Sequence, residues 1–176
     1  MLIFLVGYAG SGKSSMGKHL ARRLGVKFID TDAEVEREVG ATIAEIFLYE
    51  GEEYFRRSER ECVEHIAEQH IDAVVSTGGG LPTWADNMSW LNEHGMTVYL
   101  ERSAEQILSR LSAYGRERRP MFRGKSDEEL LAFMKTQMME REPHYTQARI
   151  TIDCRTMSDA EAVEYIATNL RAQNNE

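Results

Sequence analysis

The sequence predicts an α/β fold in which helices cover a parallel sheet. Short apolar runs with the length of buried strands alternate with longer segments of helical periodicity, as in successive β-α-β units. The first run, Leu2–Val6, is apolar throughout, which is typical of a strand that is covered on both faces. A glycine-rich loop follows it directly and leads into the first predicted helix. Together these observations indicate a parallel sheet with helices on both faces.

Four further short runs predict the other strands of the sheet. They cover residues 27–30, 73–76, 97–100 and 150–153. The helices between them share a start signal in which Ser or Thr is followed three residues later by Glu or Gln, so that each side chain satisfies a backbone donor of the first turn. The predicted pairs are Thr31/Glu34, Thr42/Glu45, Ser103/Gln106, Ser126/Glu129 and Ser158/Glu161.

Size and charge restrict the class of protein. The chain has 176 residues, of which 42% are hydrophobic, so we expect one core and a single domain over residues 1–176. A formal net charge of −8 disfavours attraction to nucleic acid and to anionic membranes. The N-terminal apolar run is too short for a signal peptide. We therefore expect a monomeric cytoplasmic protein that binds small molecules, with Cys62 and Cys154 as buried thiols.

Residues 7–14 form a phosphate-binding loop motif. They read Gly-Tyr-Ala-Gly-Ser-Gly-Lys-Ser and match the pattern G-x-x-x-x-G-K-[ST] between a predicted strand and a predicted helix. The glycines let backbone amides converge on phosphate oxygens, and the positive end of the helix points to the same anion. A simple glycine turn would explain neither the lysine nor the serine. The residues expected to bind ATP here are Gly10, Ser11, Gly12, Lys13, Ser14 and Ser15.

Two aspartates follow the second predicted strand. Asp30 and Asp32 therefore project at the carboxyl edge of the sheet, where open α/β folds bind ligands. Asp30 is a candidate to hold Mg²⁺ together with the Ser14 hydroxyl, and Asp32 is a candidate general base for the hydroxyl that is phosphorylated. The motif alone fits equally with a helix that starts at Asp30 and a solvated carboxylate at Asp32.

A run of three glycines, residues 78–80, follows the third predicted strand. Consecutive glycines favour a backbone that approaches a ligand closely or takes positive φ, although a tight turn would also use them. Residues 114–125 are dense in Arg and Gly and are the best candidate for a mobile lid. The arginines that could neutralise charge there, or merely form a solvated loop, are Arg116, Arg118, Arg119 and Arg123.

Arg56 and Arg141 are candidate carboxylate-binding residues. Arg56 lies in residues 50–57, which we expect to precede a helix, and a guanidinium there could bind a substrate carboxylate through two hydrogen bonds. A surface ion pair with Glu52, Glu53 or Glu59 would also account for it. Arg141 taken alone is an ordinary cation near a helix C-terminus. The residues themselves therefore leave both roles open.

Taken in order, these motifs resemble the shikimate kinase family over almost the whole chain. They are Gly-Ser-Gly-Lys-Ser-Ser at residues 10–15, Asp-Thr-Asp at 30–32, Gly-Glu-Glu-Tyr-Phe-Arg at 51–56, Gly-Gly-Gly at 78–80, Arg-Pro at 119–120 and Arg-Glu-Pro-His-Tyr at 141–145. The resemblance implies the P-loop NTPase fold of the nucleoside-monophosphate-kinase type, with a five-stranded parallel sheet flanked by helices. It also implies a substrate-binding region at about residues 32–60 and a lid at about residues 112–124.

The resemblance implies an ATP-dependent kinase that phosphorylates the 3-hydroxyl of shikimate with Mg²⁺, on the route to chorismate and the aromatic amino acids. Its carried-over catalytic residues are Lys13, Asp32 and Arg119. Its ATP contacts beyond the loop are Arg110 against the adenine, Arg119 on the phosphates and Arg155 near the adenine. Its shikimate contacts are Asp32, Arg56, Gly78, Gly79, Gly80 and Arg141, and its metal ligands are Ser14 and Asp30.

The phosphate-binding loop is also compatible with three functions other than shikimate phosphorylation. Two are related kinases, one acting on gluconate and one on nucleoside monophosphates, and the third is an ATP-dependent switch without turnover. A nucleotide acceptor would require a base-recognition pocket, and gluconate would engage a single carboxylate on a flexible chain. The two carboxylate-binding arginines that the resemblance implies, together with the glycine run, favour a cyclic acid as the acceptor.

Overall fold

The sheet consists of five parallel strands in the order β2-β3-β1-β4-β5. This is seen in a computed structural model that describes residues 1–117 and 119–173, without the side chains of residues 171–173. The strands are β1 (Leu2–Val6), β2 (Lys27–Asp30), β3 (Ala73–Ser76), β4 (Met96–Glu101) and β5 (Ile150–Asp153). The predicted α/β class and parallel sheet are confirmed, and β4 is one residue longer at each end than predicted.

Helices cover both faces of this sheet. Those in the described ranges are α1 (Lys13–Leu24), α2 (Thr31–Val39), α3 (Ile43–Tyr49), α4 (Gly51–Glu68), α5 (Asn87–His94), α6 (Ala104–Arg110), α7 (Ala113–Glu117), α8 (Asp127–Tyr145) and α9 (Asp159–Gln173), with 3₁₀ turns at Leu81–Thr83 and Pro120–Phe122. None of the helices in these ranges is long and apolar enough to cross a lipid bilayer. The cysteines of α4 and of the segment after β5 are both buried free thiols, as predicted.

The central strand β1 is apolar throughout because it contributes to two cores. Phe4 and Val6 pack in a cluster with residues of α4, α5, α6 and α8. Ile3 and Leu5 point the other way and pack with residues of α1 and α9. Fully burying one such side chain contributes about 1.5–3 kcal/mol. The strand is therefore anchored on both faces, and the loop at its carboxyl end starts from a rigid position.

Four of the five predicted helix-start pairs are confirmed. Reciprocal side-chain and backbone hydrogen bonds form at Thr42, Ser103 and Ser126, and the same two bonds join Ser158 to Glu161. The prediction at Thr31 is wrong. Strand β2 continues into α2 without a linker, so the extended residue that caps the helix is Asp30, whose carboxylate accepts from the amides of residues 32 and 33.

One local prediction near the expected ligand sites also needs correction. Helix α4 begins at Gly51, which has a φ of 84°, so Arg56 lies inside the helix and not before it. The segment expected to be a mobile loop or lid contains the short helix α7 and the 3₁₀ turn Pro120–Phe122, and its role as a lid stays a prediction. Arg56, Arg116, Arg119 and Arg123 therefore have defined backbone positions.

We expect Thr42→Ala to lower the free energy of unfolding by about 1 kcal/mol, because the amide of Glu45 loses its side-chain acceptor at the start of α3. Urea denaturation followed by circular dichroism measures this change. Thr42→Ser keeps the hydroxyl and should unfold within about 0.5 kcal/mol of the parent. Equal losses in the two variants would show that the methyl group, and not the cap, is responsible.

Candidate active site

Strand order brings three sequence motifs together at one edge of the sheet. Strands β2, β3 and β1 are neighbours, and all three run in the same direction. The loop at residues 7–14, the Asp30–Asp32 segment and the glycine run at residues 78–80 therefore lie side by side. The carboxyl edge of a parallel sheet is where such folds bind ligands.

The loop after β1 has the backbone of an anion-binding loop. Gly7, Gly10 and Gly12 take φ angles of 141°, 84° and 98°, which L side chains rarely adopt. Lys13 is buried, and its Nζ donates to the carbonyl oxygens of Gly7 at 2.8 Å and of Tyr8 at 2.9 Å. Burial lowers the pKa of the Lys13 amine to about 8, although the Asp32 carboxylate raises it.

Ser14 and Asp30 present oxygen atoms beside each other at this loop. The Ser14 Oγ donates to Asp30 Oδ2 at 2.6 Å and lies 3.1 Å from the Ser76 Oγ. The other Asp30 oxygen caps α2, so Asp30 is the helix-start residue that the sequence offered as an alternative, and its second oxygen lies at Ser14. A hydroxyl and a carboxylate are suitable donors for Mg²⁺, which takes its remaining ligands from phosphates and water. Among the described residues, no group of three or more His, Cys, Asp or Glu side chains could hold a metal ion.

Asp32 and Glu59 bring two carboxylates against the main chain of Gly78. A Cβ atom at residue 78 would collide with Glu59 Oε1 and would lie 2.7 Å from Asp32 Oδ1. Each of these two oxygens is buried and has no hydrogen-bond partner in the described part of the chain. Burial, with the nearby Asp30 carboxylate, raises the pKa of Asp32 to about 6. Burial raises the pKa of Glu59 to about 7, although Arg56 lowers it.

Arg56 is held in place by carboxylates of its own helix. Its Nη1 donates to Glu59 Oε2 at 2.5 Å, and its Nη2 donates to Glu52 Oε1 at 3.2 Å. The guanidinium lies so close to Gly80 that any Cβ there would collide with it. A side chain at residue 80 would therefore require the Arg56 guanidinium to shift. Arg141 reaches the same region from α8, with its Cζ 5.6 Å from the centre of the Tyr8 ring.

Two adjoining cavities open at this edge of the sheet. The first has a volume of about 310 Å³, and its lining includes Gly10, Gly12, Lys13, Ser14, Ser15, Asp30, Asp32, Gly79, Arg110 and Arg119. The second has a volume of about 240 Å³, and its lining includes Asp32, Arg56, Glu59, Gly78, Gly79, Gly80, Arg119 and Arg141. Asp32, Gly79 and Arg119 line both cavities. A group in one cavity can therefore react with a group in the other beside the Asp32 carboxylate.

Two predicted ATP-binding residues, Ser11 and Arg155, lie away from this lining. Ser11 is buried within the loop, where its carbonyl oxygen accepts from Arg102 Nε at 2.9 Å. Arg155 lines a separate cavity, where it pairs with Asp153 at 2.8 Å and with Glu101 at 2.9 Å. The structure therefore does not bring Arg155 to the cavity of the phosphate-binding loop. Arg118, which was considered as a lid cation, lies outside the described residues.

Sequence reasoning missed two residues of the site. Glu59 was considered only as an ion-pair partner, yet its second oxygen faces the Asp32 carboxylate across Gly78. Tyr145 donates its hydroxyl to the Gly79 carbonyl oxygen at 2.5 Å and so fixes the glycine run. Arg56 and Glu59 are three residues apart on one helix face, a spacing that could have indicated Glu59. That spacing is informative only once the helix is known to start at Gly51.

Known proteins resemble this chain over nearly its full length. The sequence matches a shikimate kinase family model at residues 9–171. The shikimate kinase of Parabacteroides distasonis is 42% identical over 168 residues, which cover 96% of each protein. The solved shikimate kinase of Bacteroides thetaiotaomicron superposes with a TM-score of 0.87 at 36% identity, over 100% of this chain and 99% of that one.

A second solved relative carries a ligand. The shikimate kinase of Acinetobacter baumannii, solved in complex with shikimate, superposes with a TM-score of 0.86 at 33% identity, over 99% of this chain and 95% of that one. A deoxyadenosine kinase of M. mycoides, at 15% identity and a TM-score of 0.60, shares the fold alone. By the family match and by the identity and coverage of these relatives, the chain belongs to the shikimate kinase family and is an ATP-dependent kinase.

Proposed function

We propose that this chain transfers the γ-phosphoryl group of ATP to the 3-hydroxyl of shikimate, giving shikimate 3-phosphate and ADP. The observation that carries the proposal is the pair of cavities that meet at Asp32, one beside a phosphate-binding loop and the other lined by Arg56 and Arg141. We further propose that residues 32–60 are the acceptor-binding region and residues 112–124 the lid of a single domain. The monomeric state and the cytoplasmic location stay predictions from the sequence.

On the nucleotide side, the phosphates bind at the loop after β1. Lys13 turns from the loop carbonyls to the phosphates, and Arg119 on the border of both cavities neutralises the charge of the group that moves. Arg110 lines the same cavity and forms its adenine side. Arg155 pairs with Glu101 and Asp153 in a different cavity, so its position in this structure does not support a contact with adenine.

Mg²⁺ fits the oxygen donors of Ser14 and Asp30, with the phosphates as its other ligands. When bound, it neutralises phosphate charge and orients the terminal phosphate. The carboxylate of Asp30 already accepts from two amides at the start of α2, so its position is fixed before a cation binds. Such fixed ligands reduce the reorganisation that binding requires.

On the acceptor side, Arg56 and Arg141 bind the carboxylate of shikimate, and the main chain of residues 78–80 lines the ring. Asp32 accepts the proton of the attacking hydroxyl, for which a pKa of about 6 is suitable, because the group is ionised near neutral pH and still basic. Phosphoryl transfer requires little covalent assistance from the protein. The protein therefore contributes mainly by positioning the two substrates on either side of Asp32. Lys13 and Arg119 neutralise the charge of the transferred phosphoryl group.

We expect Asp32→Asn to lower turnover with ATP and shikimate by about 10²- to 10⁴-fold, because an amide cannot accept the proton of the hydroxyl. A coupled assay of ADP release, run with and without shikimate, measures this loss. Asp72→Asn is the matched control, since the Asp72 carboxylate pairs with the N-terminal amine and not with the site. Turnover of Asp32→Asn near that of the control would exclude Asp32 as the base.

Removing the Arg141 guanidinium should weaken acceptor binding selectively. We expect Arg141→Ala and Arg56→Ala to raise the KM for shikimate by about 30-fold or more, since each leaves one carboxylate contact unmade. The KM for ATP should change little. Arg57→Ala is the control, because the Arg57 side chain is 60% exposed and pairs only loosely with Glu53 at 3.8 Å. A larger loss of ATP affinity than of shikimate affinity would contradict the assignment.

The raised pKa of Asp32 predicts a pH-dependent cost in stability. The pKa of Asp32 rises from 3.8 to about 6 on folding, so the folded state holds this proton more tightly than the unfolded state does. The resulting stabilisation is complete below about pH 4 and is lost as the pH rises through 6. We therefore expect Asp32→Asn to gain stability relative to the parent between pH 4 and pH 7. Urea unfolding at several pH values measures the difference, and a constant difference would mean that Asp32 has an ordinary pKa.

A further inference from the structure

Tyr8 is a buried residue of the phosphate-binding loop that the mechanism above does not use. It occupies a position where the loop pattern accepts any residue. Only 2% of it is exposed, and its main-chain carbonyl oxygen accepts from Lys13 Nζ at 2.9 Å. Its side chain packs away from the loop, toward α8 and the turn at Pro120–Phe122. The residue therefore joins the loop to the acceptor side of the site.

The Tyr8 side chain contacts one face of α8 twice. Its hydroxyl donates to Gln137 Oε1 at 2.5 Å, and its ring lies under the Arg141 guanidinium, with Cζ 5.6 Å from the ring centre. Gln137 and Arg141 are one helical turn apart, so they lie on the same side of the helix. The hydrogen bond thus fixes the outer end of the Tyr8 side chain at α8, and the guanidinium rests on its ring.

The other neighbour of the ring is Phe122. The two ring centres are 6.3 Å apart with an angle of 26° between the planes, and Phe122 is buried. Because Phe122 ends the 3₁₀ turn that follows Arg119, the Tyr8 ring is confined between that turn and α8. A confined ring is a rigid surface for a flexible side chain to pack on.

The two acceptor-side arginines are held by different interactions. Arg56 is held by the carboxylates of Glu52 and Glu59, which occupy several of its N–H donors. Arg141 contacts the face of a ring and the oxygen of Tyr145. A ring face attracts a guanidinium without occupying its N–H groups, so most of the five donors stay available to a ligand.

We propose that Tyr8 is a positioning residue that holds the Arg141 guanidinium ready for the carboxylate of the acceptor. An unsupported arginine would lose side-chain freedom when the acceptor binds, and the ring lowers that loss by restricting it beforehand. The inference rests on the proposed function, since it assumes that Arg141 binds the acceptor. The ring, and not the hydroxyl, carries the effect on affinity.

Two substitutions separate the ring from the hydroxyl. Tyr8→Met fills the space with a flexible side chain and removes the ring face, whereas Tyr8→Phe keeps the ring and removes only the hydroxyl. Both keep the main-chain carbonyl that accepts from Lys13. Isothermal titration gives the Kd values for shikimate and for Mg·ADP separately, and steady-state assays give kcat and both KM values. Tyr165→Met is the control, because this tyrosine of α9 is 47% exposed.

We expect Tyr8→Met to raise the Kd and the KM for shikimate by about five- to tenfold, the effect of losing one cation–π contact at a buried site. The kcat and the Kd for Mg·ADP should stay within about twofold of the parent, and Tyr8→Phe should restore most of the shikimate affinity. If Tyr8→Met does not fold, Phe122→Leu loosens the same ring and should raise the shikimate Kd in the same direction.

Three outcomes would overturn the proposal. One is an unchanged shikimate Kd in the folded variants, and another is an equal rise in the Kd values of both substrates. The third is a loss in Tyr8→Phe as large as that in Tyr8→Met, which would assign the effect to the hydroxyl. Failure of the proposed function is distinguishable, because the parent protein would then give no binding heat with shikimate.

Discussion

The close approach of two buried carboxylates, Asp32 and Glu59, to the main chain of Gly78 is the constraint on which the site depends. A Cβ atom at residue 78 would require the Glu59 and Asp32 carboxylates to shift. Burial raises the pKa values of both acids, and Arg56 limits the shift at Glu59. Unpartnered buried oxygens cost free energy, and hydroxyl groups of a ligand can recover it by donating to them. The free energy lost by burying these two oxygens can therefore be regained when a polyhydroxylated acceptor binds.

Strand order explains why such an arrangement can persist. The carboxylate of Asp32 follows β2, Gly78 follows β3, and the phosphate-binding loop follows β1, and these strands are direct neighbours in the sheet. Strands β3 and β1 are each fixed by two neighbouring strands, whereas β2, at the edge of the sheet, is fixed by β3 alone, and helices cover the faces of the sheet. Burial of β1 in two cores stabilises the sheet by far more than one unfavourable carboxylate destabilises it. The site is thus maintained by packing that lies outside it.

The sequence predicted those parts of the protein whose signals are local. Strands, the phosphate-binding loop and four capping pairs each depend on a few adjacent residues, and all agree with the structure. The start of α2 was misassigned because a strand that continues directly into a helix moves the cap to its own last residue. The partners of Arg155 and the facing oxygen of Glu59 depend on how separate elements pack, which no short pattern records.

The charges of the second cavity indicate the kind of acceptor that it can take. Its described lining carries the carboxylates of Asp32 and Glu59 and the guanidinium groups of Arg56, Arg119 and Arg141. If both acids are ionised, one positive charge remains, and a monoanion balances it. An acceptor with a dianionic phosphate would leave excess negative charge in a buried space, and an uncharged one would leave excess positive charge there. Charge balance therefore favours a hydroxy acid with one carboxylate over a nucleoside monophosphate.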